Sequence, residues 1–535
     1  MKIRKRGRCS SIVLSFVLLM TAPLNIAYAD KSLPIKYDLR KENRVTEVKD
    51  QGKINGCWAF AALSSLESSI KTRENKNVDF SENNMLTHHG FDLKSTDGGN
   101  IYMATAYLAS HKGPVLEKKD PYPSYGNPIN RGIMKADYHV QDVIFIPKRS
   151  DFKDNHKIKK AVMDYGGVYT NLKWDDAHYS SEKKSYNNNT LRGYDHTVAI
   201  VGWDDDYSKD NFKNKDHIGN GAFICKNSWG NQWAENGYFY ISYYDFNMGK
   251  TENGVFLSNE HQEYDNIYQY DELGQTNEYG FSLDTAWFSN VFQCEGNEKL
   301  SGVSFYTTGE DSTYEIWISR DFNNIDSFKN KEKVKSGKIH HMGYHTVELD
   351  EIDLNPKEKF AVMVKITTRG SKNPVAIESP KGKYASKAKA KKNQSFISSN
   401  GEQWTDLTKY EQNTNVCLKA FTKSEKIILK ENDLKIEQIE KQNFSNGEEA
   451  FVKVNIKNEG SKGQKIALMV GLYDENNKMI NHSYMNEEIK PTKEIKLSAS
   501  VLVPETGKYT VRGFVWDDSD NGISYMKDPI ELNIQ

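Results

Sequence analysis

Past about residue 262 the apolar residues of this 535-residue chain recur only at strand spacing, which confines the second half to all-β architecture. Tyr314-Glu315-Ile316-Trp317-Ile318 alternates cleanly, 360–366 is a nearly continuous apolar run, and 415–421 reads as a closing strand. Beyond 427, apolar segments at 451–456, 466–473, 497–503 and 509–516 are separated by turn-rich stretches, the pattern of a β-sandwich. No repeat with a period of roughly 20–50 residues interrupts this reading.

Residues 35–255 differ. Ala59, Ala62, Leu63, Leu66 and Ile70 fall at helix spacing, whereas 196–203, 222–226 and 238–243 are strands rich in Val, Ile, Phe and Tyr. A helical half followed by a strand half predicts an α+β domain.

The N-terminus reads as an export signal. Lys2, Arg4, Lys5, Arg6 and Arg8 precede a short apolar run at 12–20, and Ala27-Tyr28-Ala29 supplies a small-x-small cleavage site. That run is too short to span a bilayer, and no later segment is apolar enough to do so. Cleavage after Ala29 removes five positive charges, taking the net charge from −1 to −6. The balance of 72 basic against 73 acidic residues excludes a strongly basic nucleic-acid binder. The chain shows no C-terminal sorting pattern, so any retention at a surface is expected to be non-covalent.

Five cysteines, of which Cys9 leaves with the signal, do not make a disulfide scaffold. Cys57 stands apart because it opens the predicted helix. A thiol at a helix N-terminus meets the positive end of the dipole, and a nearby cationic His lowers its pKa further. The thiolate is the nucleophilic form.

The surroundings of Cys57 carry a family resemblance. Gln51-Gly52-Lys53-Ile54-Asn55-Gly56-Cys57-Trp58 is preceded by Tyr37-Asp38-Leu39-Arg40 and Val45-Thr46-Glu47-Val48-Lys49-Asp50. Phe80-Ser81-Glu82, Asp97-Gly98-Gly99-Asn100, Asp195-His196-Thr197-Val198-Ala199 and Lys226-Asn227-Ser228-Trp229-Gly230 follow in order. Over roughly 34–250 this resembles the papain family of cysteine peptidases. His196 lies 139 residues after Cys57, inside the expected separation of about 130–150. Asn227 lies 170 after, the excess falling in the polar stretch 204–220, read as a surface-loop insertion.

The resemblance implies an α+β two-lobed peptidase domain with a helical lobe and a β-barrel-like lobe, followed by two all-β sandwich domains. It implies catalytic Cys57, His196, Asn227 and Gln51, with Gln51 donating to the oxyanion. Gly98, Gly99, Asp195 and Trp229 are the substrate-side residues, Trp229 covering the His–Asn hydrogen bond. No metal or cofactor is called for; the partners are protein or peptide substrates. Two departures stand out: Ile54 replaces the usual upstream cysteine, and cleavage after Ala29 leaves only Asp30, Lys31 and Ser32 where such peptidases carry a long pro-segment.

Residues 262–423 resemble the lectin-like sandwich that follows a papain-like domain in some bacterial surface peptidases, on domain order and on Ser395-Phe396-Ile397-Ser398-Ser399-Asn400 running into Trp404. Trp287, Trp317 and Trp404 either stack on sugars or fill the core. Lys381, Lys383, Lys387, Lys389, Lys391 and Lys392 form either a solvated loop or a contact for an anionic wall polymer. Cys294 and Cys417 could pair if the first and last strands are neighbours. Asp517, Ser519, Asn521, Gly522 and Asp528 fit calcium-loop spacing without EF-hand context, so an Asn-Gly turn is the reading there. The expected layout is a signal peptide at 1–29, the peptidase at 30–255, the lectin-like sandwich at 262–423 and an immunoglobulin-like sandwich at 427–535. The product would be secreted, with a cell-wall polysaccharide or surface glycan as a second partner class. All four catalytic groups lie within 30–255, so that segment is expected to work alone.

Overall fold

A computed structural model describes residues 33–190, 192–259, 264–424, 434–441, 444–517, 524–525 and 529–532. The expected export signal and most of the 517–528 turn lie outside the described residues. Helix α1 (Cys57–Glu74) is the pivot of the first domain. Ala59, Ala62, Leu63, Leu66 and Ile70 are all buried, as their spacing predicts. The opposite face is buried too, and there the polar residues find partners. Ser65 Oγ donates to Gly167 O (2.5 Å), Ser68 Oγ to Arg44 O (2.6 Å) and Ser69 Oγ to Phe256 O (2.7 Å). Such a helix can only sit between layers, because its polar groups lose water and must be repaid by protein acceptors.

On one side of α1 pack α2 (Glu82–His88) and α3 (Ile101–Ala109). On the other runs an antiparallel sheet in the order Asn253–Asn259, Val168–Leu172, His196–Asp204, Ala222–Lys226, Tyr238–Ser242. Helix α4 (His156–Tyr165) covers part of it. The 204–220 insertion is a loop between two paired strands, carrying a 3-10 turn at Lys209–Asn211.

The sheet does not stop at the domain edge. The strand His139–Ile146 pairs on one side with Asn253–Asn259 and on the other with Met342–Leu354 of the following domain. Through it the sheet continues to Glu298–Thr307, Leu418–Ser424 and Asn266–Tyr268. Gly343 makes this junction possible: at φ 142° its missing Cβ would lie 1.9 Å from Val143 O. One hydrophobic core also spans both halves, joining Phe91, Ala106 and Tyr107 to Leu273, Tyr306, Tyr344, Ala376 and Ala385. This pairing and shared core weigh against the expectation that 30–255 works alone, since excision would strip one edge of a central sheet and uncover that core.

A second sheet, ordered Glu332–Ile339, Ser312–Ser319, Lys359–Thr367, Thr285–Gln293, Ser395–Ser398, Thr405–Asp406, completes the lectin-like sandwich. Trp287 and Trp404 are buried with Phe322, Phe328 and Phe396, so they pack as core. The lysine-rich segment keeps its charges exposed but is docked, not free. Ala385 and Ala388 are buried, Tyr384 packs on Phe91 (ring centroids 4.8 Å) and Lys387 Nζ donates to Phe91 O (3.2 Å). Cys294 and Cys417 are buried free thiols, as is Cys225.

The last domain folds as a sandwich of Leu434–Lys441, Glu449–Asn458 and Glu494–Leu502 against Gln464–Tyr473, Met479–Ile489 and Thr510–Asp517. Its core draws only on its own residues among those described.

Candidate active site

Cys57 is the first residue of α1, where backbone N–H groups have no intrahelical acceptor. Gly56 precedes it and Trp58 follows, its ring lying where a Cβ on Gly99 would fall (2.4 Å). Gly99 is therefore demanded by packing beneath Trp58. At Gly98 no atom lies within 4 Å of the missing Cβ, so that glycine leaves open space beside the backbone.

The opposing wall is the strand His196–Asp204, whose first residues reach the α1 N-terminus. Thr197 hydrogen-bonds the thiol. His196 Nε2 meets Asn227 Oδ1 at 2.8 Å, and the same oxygen accepts Ser228 N–H at 2.9 Å. The Ser228 backbone N–H can only donate, which identifies the shared atom as the amide oxygen. Nε2 thus carries hydrogen, and Nδ1 is the nitrogen left for the thiol. Trp229 stacks on the imidazole (centroids 4.7 Å, 26°) and is itself buttressed edge-on by Trp174 and Trp233.

Gln51 is held from three sides. Its Oε1 accepts Ser228 Oγ–H (2.6 Å), its Nε2 donates to Ile54 O (2.7 Å), and its backbone N–H donates to Ser228 O (2.9 Å). An amide nitrogen has two hydrogens, so one remains for a ligand. Asp195 accepts Trp174 N–H (2.8 Å) and pairs with Lys173, which fixes the Trp174 loop against the histidine strand. The structure therefore gathers Gln51, Cys57, His196, Asn227 and Trp229 into one site, with Gly98 and Gly99 on its rim. It gives Asp195 a loop-anchoring position.

Electrostatics favour neutral forms when each group is taken singly. Burial pushes the Cys57 thiol up, against the Thr197 and helix N-terminal hydrogen bonds. Burial also takes His196 down to about 4, against the Asn227 hydrogen bond. Moving the proton from sulfur to Nδ1 changes this balance, because each charge then stabilises the other.

Behind the site lies a buried polar network that motif reading passed over. Lys226 Nζ donates to Thr46 Oγ1 (3.1 Å), Thr46 donates to Glu67 (2.6 Å), and Lys49 meets Glu67 and Glu82. Burial takes Lys226 down to about 8 and raises Glu82. Thr197 and Trp174 were also missed. Thr197 stood inside the quoted histidine motif, whereas nothing near Trp174 in sequence signals its place.

Family models match this chain twice: "Papain family cysteine protease" over residues 33–258 and "Lectin like domain" over 267–422. A viral cathepsin of Heliothis zea nuclear polyhedrosis virus is 29% identical over 214 residues, covering 40% of this chain and 53% of that protein. Cathepsin S of Bos taurus is 26% identical over 223 residues, covering 40% and 63%. The chain thus spans little more than half the length of the curated relatives it matches. The crystal structure of the cysteine protease and lectin-like domains of Cwp84, a surface layer associated protein of Clostridium difficile, is 28% identical with a TM-score of 0.64. It covers 73% of this chain and 89% of that one.

Proposed function

We propose that this chain, which carries a papain-family cysteine protease domain over 33–258 and a lectin-like domain over 267–422, is an exported endopeptidase. The observation that carries the reading is His196, held by Asn227 and stacked by Trp229, beside Thr197, which hydrogen-bonds a cysteine at the N-terminus of a buried helix. In this reading Cys57 Sγ, as thiolate, attacks the scissile carbonyl carbon while the C=O electrons move onto oxygen. The Cys57 N–H and the free Gln51 N–H receive that oxyanion. As the C–N bond breaks, His196 gives its Nδ1 proton to the leaving amine, leaving a thioester on Cys57. His196 then takes a proton from water, hydroxide adds to the thioester, and the C–S bond breaks to restore thiolate and imidazolium. Asn227 holds the ring in the orientation both steps need. Gly98 and Gly99 flank the substrate backbone.

The remaining assignments follow the same reading. Residues 1–29 direct export, 30–255 carry the chemistry, and 262–423 and 427–535 hold the enzyme non-covalently at a cell surface or glycan. Labelling with an epoxide inhibitor of papain-like enzymes tests the core of it. Adduct is expected on Cys57 alone, and Cys57→Ala should lose both label and proteolysis, on the order of 10⁶ in rate. A folded, unlabelled wild-type protein would instead mark a silent adhesin. Gln51→Ala should lower turnover by about 10²–10³ with a much smaller effect on substrate binding.

A further inference from the structure

The cleft rim at Gly98 and Gly99 leads directly into Asn100, whose side chain does two jobs. Its Oδ1 caps α3 by accepting Met103 N–H (3.0 Å), and its Nδ2 donates to the Tyr384 hydroxyl of the lectin-like domain (3.1 Å). From this point opens a groove of about 550 Å³. The protease half contributes Asn100 and Tyr102, and the lectin-like half contributes Gln275, Glu278, Lys381 and Tyr384. Tyr194, two residues before His196 and 54% exposed, lies within electrostatic range of both Tyr102 and Tyr384. Through Asn100 the groove begins at the residue that follows Gly98 and Gly99 in the chain.

Its lining suits an extended polypeptide. The strand Asn277–Tyr279 pairs with Val375–Glu378 on one side only, among the described residues. The Glu278 N–H is turned to its neighbour Asn277 Oδ1 (2.9 Å), away from the paired strand. A short edge strand with an exposed backbone is the element that captures extended chains by main-chain pairing. Sugar recognition, by contrast, needs free aromatic faces. Here the Tyr384 ring is spent on Phe91 (4.8 Å) and the Tyr102 ring on Phe145 (5.4 Å).

We propose that this groove is a substrate subsite for the peptide segment N-terminal to the residues held at Gly98 and Gly99, so that the lectin-like domain builds part of the peptidase's specificity. The proposal rests on the peptidase reading above. It gives the docking of 380–392 onto the protease half a purpose: the segment forms the outer wall of the groove.

Two fluorogenic peptides with identical residues around the scissile bond test it, one with two residues before that bond and one with six. The full-length enzyme should favour the longer by about tenfold or more in kcat/KM, the scale of one or two well-placed hydrogen bonds. In the Glu278→Ala, Lys381→Ala double variant that ratio should fall toward one. Both side chains sit at the surface, and circular dichroism confirms that the variant is folded. Tyr384→Phe, which keeps the ring packing, should lower the ratio by less. A wild-type ratio near one, whether the groove then holds a glycan or nothing, overturns the proposal, as does a ratio untouched by the double variant. Cleavage of neither peptide by wild-type enzyme overturns the peptidase reading itself.

Discussion

The two junctions of this chain are built on opposite principles. Between the protease and lectin-like halves, strands pair across the boundary, a core is shared and a buried ion pair, Lys419 with Asp271 (2.8 Å), sits beneath the interface. Between the lectin-like half and the last sandwich, among the described residues, the sheets close on themselves and the core of the last sandwich is private. Strands and core cross the first junction and, among the described residues, do not cross the second, so the first is expected to make one folding unit and the second to join two. A boundary read from composition therefore says where architecture changes, and long-range pairing decides whether stability changes there too.

The largest expected effect follows from cutting at the first junction. A chain of residues 30–255 loses the strand that pairs with His139–Ile146 and the cover over Phe91, Ala106 and Tyr107. It should lack a cooperative thermal transition and hydrolyse no peptide, whereas 30–424 should unfold cooperatively and hydrolyse peptides. Full activity of 30–255 would show that the shared core is dispensable and would collapse the contrast between the junctions.

A single substitution can probe the same interface. The Lys419 and Asp271 side chains are 1% and 0% exposed, and burial already raises the Asp271 carboxyl while Lys419 opposes it. Lys419→Met leaves that carboxylate buried without its cation, which costs about 3–5 kcal/mol. Denaturant unfolding of 30–424 measures it, and a loss below about 1 kcal/mol, the worth of a surface pair, would place the ion pair outside the cooperative core.

Why was the first junction illegible in the sequence when α1 and the site residues were not? Local rules carried α1: its apolar residues recur at helix spacing within one segment, and Cys57, His196 and Asn227 each sit in a short motif. The junction depends on Tyr344 meeting Val143, about two hundred residues away, and no local period encodes that. Two signals were present all the same. Gly343 lies inside a strand, a position glycine takes when another backbone comes close. Ala385 and Ala388, set among lysines, are the buried points by which an otherwise charged segment docks.

Acid should loosen the first junction by a smaller amount. His111 and His139 stack face to face there (centroids 3.6 Å, 14°), with Phe421 of the lectin-like half against His111. Burial takes His139 down to about 4, with Lys135 adding to it, and depresses His111 well below its usual range, with His139 and Lys419 adding to it. The unfolded chain therefore binds more protons between about pH 6.5 and 4, so stability is intact above that window and falls as pH drops through it. His139 alone accounts for about 3 kcal/mol. Comparing wild type with His139→Gln by denaturant unfolding at pH 7 and pH 4 isolates its share. Equal pH dependence in the two would mean that the stack stays neutral for no energetic reason.

Removal of 427–535 should have the smallest effect, and its smallness is the point. The last sandwich buries Val452, Ile456, Leu468, Val470 and Leu497 against one another, and among the described residues its two sheets pair only among their own strands. At 109 residues it is large enough to fold by itself. The proposed catalytic residues lie entirely upstream, and the outer wall of the proposed groove belongs to the lectin-like half. A chain ending at residue 424 should therefore keep kcat/KM on both fluorogenic peptides within about twofold, less than about 0.5 kcal/mol in barrier height. The isolated 427–535 segment should show its own unfolding transition, at the midpoint it has in the full chain, because no shared core couples the two. Retention on cell or wall material is the property that should change. A tenfold fall in peptide hydrolysis would instead mean that the last sandwich reaches back to the cleft, making the second junction a working interface like the first.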